Sequence, residues 1–372
     1  MFEKSYLSES RNYWFIRSGR NSGEFFNHFI DNTVIAIGHS DRVDFNFDNG
    51  HMLSKDDKDN IISAVKRNMA DSGRKPSEIG NTGGQLTRFL KDMKIDDIVI
   101  TVNSDNKIVA GKVISNCYYG TTGLVRRSRT AQEDSSGEAC YYSLRADIKW
   151  GKRKDRNMLP FPVEKTLRTP LTVAHLDNPE QVSALNHWLF PIHFTENEVR
   201  CTLKIATPEH IPNRQLTKLS MALDELELLA GYIAEQADLS NLGIDGYDQF
   251  ITNNENSFNY TLTAQHLFMS PGYQFLQFPG GRVVSTAFAS FFIYIFSPGA
   301  VALEDLVPVG MEQSQFIELA NHYKQKVPVD DLRHLLDVGL PASDLSASND
   351  SIVSSSDDDG FGDGEPIEAS ML

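Results

Sequence analysis

The side chains best able to do chemistry in this sequence are aromatic and basic, and they gather in its first half. Trp14, Tyr118, Tyr119, Tyr141, Tyr142 and Trp150 accompany Arg126, Arg127, Arg129 and the run Lys152-Arg153-Lys154-Asp155-Arg156. Aromatic faces stack on nucleobases and Lys or Arg neutralise phosphates, so this mixture suits a nucleic-acid surface. It equally suits a β-rich core with solvated basic loops, and composition alone leaves the two alternatives level. Reading an unstacked base further requires a pocket with an aromatic wall and a few polar groups.

Signatures of covalent or phosphoryl chemistry are missing. There is no GxxxxGK[ST] loop, no GxSxG turn and no HExxH helix. Cys117, Cys140 and Cys201 have neither zinc-knuckle nor redox spacing, and the histidines, His28, His39, His51, His175 and His187 among them, are scattered. No catalytic residue, metal site, disulfide framework or cofactor is therefore expected. A dispersed site leaves no local signature, so an effector enzyme such as a nuclease, built from residues 190 to 342, stays open as an alternative.

Charge divides the chain. Residues 1–170 carry 27 Lys plus Arg against 22 Asp plus Glu, a net of +5, whereas the remainder carries 8 against 28, a net of −20. The overall −15 thus conceals a first half able to attract a polyanion and an acidic second half suited to a protein partner. The first residues, MFEKSYLSESRNYWFIR, lack the apolar stretch of a secretory leader, which points to the cytoplasm.

These residues need elements to hold them. Tyr13 to Ile16 and Val34 to Gly38 read as strands, Asp56 to Met69 and Gly83 to Met93 as helices, Asp97 to Val102 and Ile108 to Ile114 as a hairpin, and Tyr141 to Trp150 as a further strand. Short strands with short helices suggest a small closed or half-closed barrel over residues 11–168. Prolines 160, 162, 170 and 179 mark a bridge, taken as 169–190. A smaller α+β domain over 191–342 follows, with a strand from Val199 to Ile205 and an amphipathic helix from Gln215 to Gln236. Val283 to Leu303 is broken by Pro298 and Gly299, which favours a buried helix over a membrane span, although a membrane or interaction effector remains an alternative. Residues 343–372 hold eight acidic residues and no Lys or Arg, the composition of a disordered tail.

The order of several pieces carries a resemblance. Tyr13-Trp14-Phe15-Ile16-Arg17 with Gly19 and Gly23, then Val34 to Gly38, then Gly84-Gln85-Leu86-Thr87-Arg88-Phe89, Met93 to Val99, Ala110 to Ile114 ending in Tyr118-Tyr119, and Arg145 to Trp150 followed by Arg153 resemble the EVE-like domains of the PUA superfamily. They are particularly similar to the domains at the N-termini of modification-dependent restriction proteins. Where that pattern has Gly-Asp before the hydrophobic strand, this chain has Asp96-Asp97. The resemblance implies an α+β fold with a β-barrel and surrounding helices, a partner that is DNA with modified, typically methylated, bases, and a setting in restriction or antiviral defence. By position it implies a base pocket at Trp14, Arg17, Asn81, Thr82 and Trp150, each of which could instead be a packing or turn residue. Arg126, Arg127, Arg129, Lys152, Arg153 and Lys154 are then the candidates for the nucleic-acid backbone. In the second half, Ser270-Pro271-Gly272 before an apolar stretch from Phe275 to Phe296 is similar to a segment of bacterial proteins of unknown function and implies no activity.

Overall fold

The computed structural model describes residues 5–341 except 8–10, 21–22, 127–138, 156–162, 164–166, 168–170, 208–209, 237, 240–241, 255–256 and 268–271. Arg127, Arg129 and the acidic tail lie outside the described residues. Two sheets organise the fold, which is mixed α+β.

The chain opens with β1 (Ser5–Tyr6) and then builds the first sheet from β2 (Tyr13–Ile16), β3 (Val34–Ile37), β4 (His51–Met52), β5 (Ile98–Val102), β6 (Lys107–Val113), β7 (Tyr118–Tyr119), β8 (Leu144–Trp150), β9 (Lys154–Asp155) and β10 (Val173–His175). The strand order is β10-β2-β5-β6-β8-β7-β4, with β3 also on β8 and β9 also on β6. β2 and β5 run parallel, and the other pairs of this sheet are antiparallel. Among the described residues this sheet is open, so the closed barrel expected from the strand pattern is not formed.

Continuous apolar runs explain the central strands. β2, β3 and β5 are buried at every residue, which requires covering layers on both faces. On one face Trp14, Ile16, Val34, Ile35, Ile37, Val99, Leu144 and Ile148 form a core with Ile61, Ile62 and Val65 of α2 (Lys55–Asp71) and Leu86 of α3 (Pro76–Thr87). On the other face Tyr13, Phe15, Ile98 and Ile100 pack against Leu185, Trp188 and Leu189 of α4 (Pro179–Leu189). A fourth, short helix, Phe26–Asp31, precedes β3. α2 starts where Ser54 and Asp57 satisfy each other's backbone N–H groups, at 2.9 and 3.1 Å. α3 starts seven residues earlier than its apolar spacing suggests, because Pro76 sits in its first turn and Gly80, Gly83 and Gly84 are helical. At Gly83 the end of the Lys66 side chain lies against the helix backbone, and a Cβ there would displace only that flexible chain end. A π-turn, Arg88–Asp92, extends α3 and directs Phe89 and Leu90 inward.

The bridge expected over 169–190 contains β10 and α4, so it is structured rather than a bare linker. α4 serves both sheets. Its apolar side joins the first core, while Ser183 accepts a hydrogen bond from Arg200 Nη1 at 2.8 Å and the His187 ring stacks on Phe275 at 4.4 Å. The second sheet consists of β1, β11 (Ile192–Phe194), β12 (Glu198–Ile205), β14 (Gly272–Pro279) and β13 (Thr263–Leu267) in that order, with β15 (Val338–Gly339) on β12. β1 lies parallel to β11, so residues from the start of the chain complete the second sheet. α5 (Asn213–Glu235) and the helix Arg282–Phe296 bury Leu219, Leu223, Leu226, Ile233, Phe288, Phe291 and Phe292 against it. The stretch Phe275 to Phe296 is thus a strand followed by a helix, and no described helix is long and apolar enough to cross a membrane.

The polar hub of the first unit is Asp97, which is buried. It accepts from Trp14 Nε1 at 2.8 Å, Asn12 N at 3.0 Å and Lys94 N at 2.9 Å. Asp96 beside it takes a positive φ of 74°, the conformation that suits the glycine of the related pattern and that Asp tolerates better than most side chains. Asp97→Ala would leave those three donors without their acceptor. We expect it to lower unfolding free energy by about 3 kcal/mol, measured by urea denaturation, with Trp14 fluorescence changing in the folded baseline.

Candidate ligand pocket

A cavity of about 550 Å³ opens where the ends of several strands converge. Gly19, Arg20, Glu24 and Phe25 come from the turn after β2, Gly38, His39 and Asp41 from the turn after β3, Tyr142 from the approach to β8, and Thr172 from the approach to β10. β2 and β3 do not pair, so the sheet must bend around its inner core to bring these turns together.

Two glycines set the pocket walls. Gly19 has a φ of +93°, and a Cβ there would overlap the Phe25 ring at 2.7 Å and Glu24 Cγ at 2.8 Å. At Gly38 a Cβ would overlap both the Tyr142 ring and Oδ2 of Asp41, so the phenol ring and the carboxylate meet over this backbone position. Phe25 and Tyr142 stand edge to face, with centroids 5.3 Å apart and an 81° interplanar angle. Arg145, itself buried, fixes the Tyr142 segment by donating from Nε to the Tyr142 carbonyl at 2.8 Å. Gln85 fixes the opposite side, its Oε1 accepting from Thr172 N at 2.6 Å and Val173 N at 3.1 Å.

Titration within the pocket follows from these surroundings. Asp41 is an exposed residue at the pocket rim, and the partial withdrawal of its carboxyl from water raises it to about 6, against the opposing pull of Arg20. Burial lowers His39 below its ordinary value, with the Gln85 side chain opposing, so its imidazole is neutral at pH 7. Its Nε2 is buried and has no hydrogen-bond partner among the described residues. Burial, reinforced by Cys140, Glu24 and Asp41, raises the Tyr142 phenol to about 12, and it remains a hydrogen-bond donor. The pocket therefore combines two aromatic faces with a carboxylate, a neutral imidazole and a phenol, which suits binding of a flat polar ring. No group of three or more His, Cys, Asp or Glu positioned for a metal occurs among the described residues.

The residues expected from sequence to line a pocket do not line this one. Trp14 is a core residue bonded to Asp97, with its ring 4.5 Å from that of His175. Trp150 Nε1 donates to the Phe29 carbonyl at 3.2 Å. Asn81 and Thr82 lie inside α3, where the Asn81 carbonyl accepts from Gln85 Nε2 at 3.5 Å. Arg17 N donates to the carbonyl of Thr172, a lining residue, at 2.8 Å. Of the described basic candidates, Arg126, Lys152 and Arg153 are exposed. Arg153 lies 3.9 Å from Asp31 and over the Phe26 ring, and Lys154 lies 4.8 Å above the Trp188 ring, which draws it toward α4.

Residues 14–176 match the family model described as "Domain of unknown function (DUF8426)". That span runs from β2 to just beyond β10 and includes every residue lining the pocket. No curated protein and no solved structure matches the chain.

The Asp41 shift has a measurable consequence. The folded protein holds this proton more tightly than the unfolded chain, so the residue favours folding below about pH 4 and loses that contribution as pH rises through 6. Asp41→Asn should therefore raise Tm relative to the parent at about pH 7.5 and do so far less at about pH 4. An offset that does not change with pH would contradict the raised value.

Proposed function

We propose that the first unit reads a modified or extruded nucleic-acid base, which enters the pocket lined by Phe25 and Tyr142. The observation that carries this role is the cavity itself: an aromatic-walled space of about 550 Å³, within the usual range for small-ligand sites, with hydrogen-bonding groups of three kinds. Asp41 and His39 can accept or donate at the edge of a ring, and the Tyr142 phenol can donate. The net +5 of residues 1–170 supports a polyanionic partner, with exposed Arg126 and Lys152 as phosphate contacts. The likeness to EVE-like domains supports the same role and favours DNA carrying methylated bases, in a restriction or antiviral defence setting in the cytoplasm. Within this proposal the bent, open first sheet is a PUA-like half-barrel, and the acidic second unit engages a protein partner that acts on recognition.

The test is binding of the full chain to matched oligonucleotides, unmodified or carrying one methylated base, at two salt concentrations. A preference for the modified strand that persists at the higher salt is expected, because pocket contacts depend less on salt than phosphate contacts do. Phe25→Ala and Tyr142→Ala should each weaken it by about tenfold, whereas Trp150→Phe should leave it within about twofold because this ring packs away from the cavity. Uniform binding that disappears with salt, or equal loss in all three variants, would refute the proposed pocket.

A further inference from the structure

The charges around the pocket are unequal in a way that a neutral ring would not use. Glu24 and Asp41 both line the cavity, Arg20 is the single cationic side chain among the described lining residues, and His39 is neutral. After burial and Cys140, both carboxylates act to raise the Tyr142 phenol and Arg20 acts to lower it, so two negative groups and one positive group face the aromatic wall. Aromatic faces beside carboxylates form the arrangement that binds organic cations, since the ring quadrupole and the carboxylate charge both attract positive charge in a partly desolvated space. Arg20 is exposed, and its backbone N–H donates to Glu24 Oε1 at 2.9 Å, which keeps the two residues together.

We infer that the pocket prefers a cationic ring, namely a nucleobase methylated on a ring nitrogen, with Phe25 and Tyr142 as its walls and Asp41 and Glu24 as its counter-charges. This rests on the base-reading role proposed above and specifies the ligand within it. Such a nucleotide is positive at the base and negative at the phosphate. The carboxylates meet the first charge and Arg20 the second, so binding also relieves the opposition between Arg20 and the base. A ring methylated on carbon or on its exocyclic amine stays neutral and gains nothing from Asp41 beyond a hydrogen bond. The groups facing Asp41 are Arg20, Glu24, His39, Tyr142 and Cys140, and only Arg20 among them is positive at neutral pH.

The experiment compares 3-methylcytosine with 5-methylcytosine, isomers that differ in the position of one methyl group and in charge. Each is placed singly in the same unpaired oligonucleotide, so that base pairing does not distinguish them, and binding to the full chain is measured at pH 7. We expect the 3-methylcytosine strand to bind about tenfold more tightly, and Asp41→Asn to reduce that discrimination to about twofold. Equal or tighter binding of 5-methylcytosine would overturn the cation preference while leaving the reader intact. Discrimination that persists in Asp41→Asn would also overturn it. If neither methylated strand binds better than the unmethylated one, the base-reading role fails together with this inference.

Discussion

The first unit depends on one four-residue strand being covered on both sides. Tyr13 and Phe15 of β2 belong to one apolar layer, Trp14 and Ile16 to the other, and none of the four is more than 3% exposed. Full burial of such side chains is worth roughly 1.5–3 kcal/mol each, and it demands a helix layer on each face. It also leaves little freedom in where the strand ends. The pocket turn follows directly, with Gly19 and Gly23 at positive φ to reverse the chain. Asp97 supplies the polar counterpart, tying the start of β2 to the turn before β5 so that the apolar layers cannot slide past one another.

This framework lets the pocket be polar without destabilising the core beneath it. Arg145 and Gln85 are both buried, and each ties a pocket segment to its surroundings: Arg145 donates to the Tyr142 and Thr122 carbonyls, and Gln85 accepts from Thr172 N and Val173 N while donating to the Asn81 carbonyl. Second-layer contacts of this kind hold recognition groups in place while leaving their functional atoms available to a ligand. The unpartnered His39 Nε2 and the raised Asp41 carboxyl are the corresponding cost, and both lie at the cavity rather than elsewhere in the first core.

The sequence makes this architecture legible where burial imposes a simple pattern. Val34 to Ile37 is an uninterrupted apolar run, Ile98 to Val102 is broken only by the buried Thr101, and Ile61, Ile62 and Val65 recur at helical spacing after a Ser54 and Asp57 cap. α3 is harder to place because its glycines read as breakers, yet Pro76 in its first turn and the buried Leu86 hold the segment helical. The pocket is harder still. Its nine lining residues come from four separated segments, and no local spacing links Glu24 to Tyr142 or Thr172. Tryptophan draws attention as a stacking residue, but Trp14 and Trp150 both have an indole N–H directed to a protein acceptor, Asp97 and Phe29. The usable signal is the polar group Gly38-His39-Ser40-Asp41 directly after a fully apolar strand, together with the aromatic pair Tyr141-Tyr142.

The parallel pairing of β1 with β11 has a bearing on how the chain is made. Ser5 and Tyr6 leave the ribosome early, but their partners His193 and Phe194 follow only after the whole first sheet has been synthesised. Until then the opening segment has no place to dock, and β12 to β15 are still to be made. Contacts between such distant positions carry a large loop-closure cost and form late. Vectorial synthesis therefore completes the strands of the first sheet before β11 emerges, so that the pairing of β1 with β11 can open, rather than close, the assembly of the second sheet from β12 to β15.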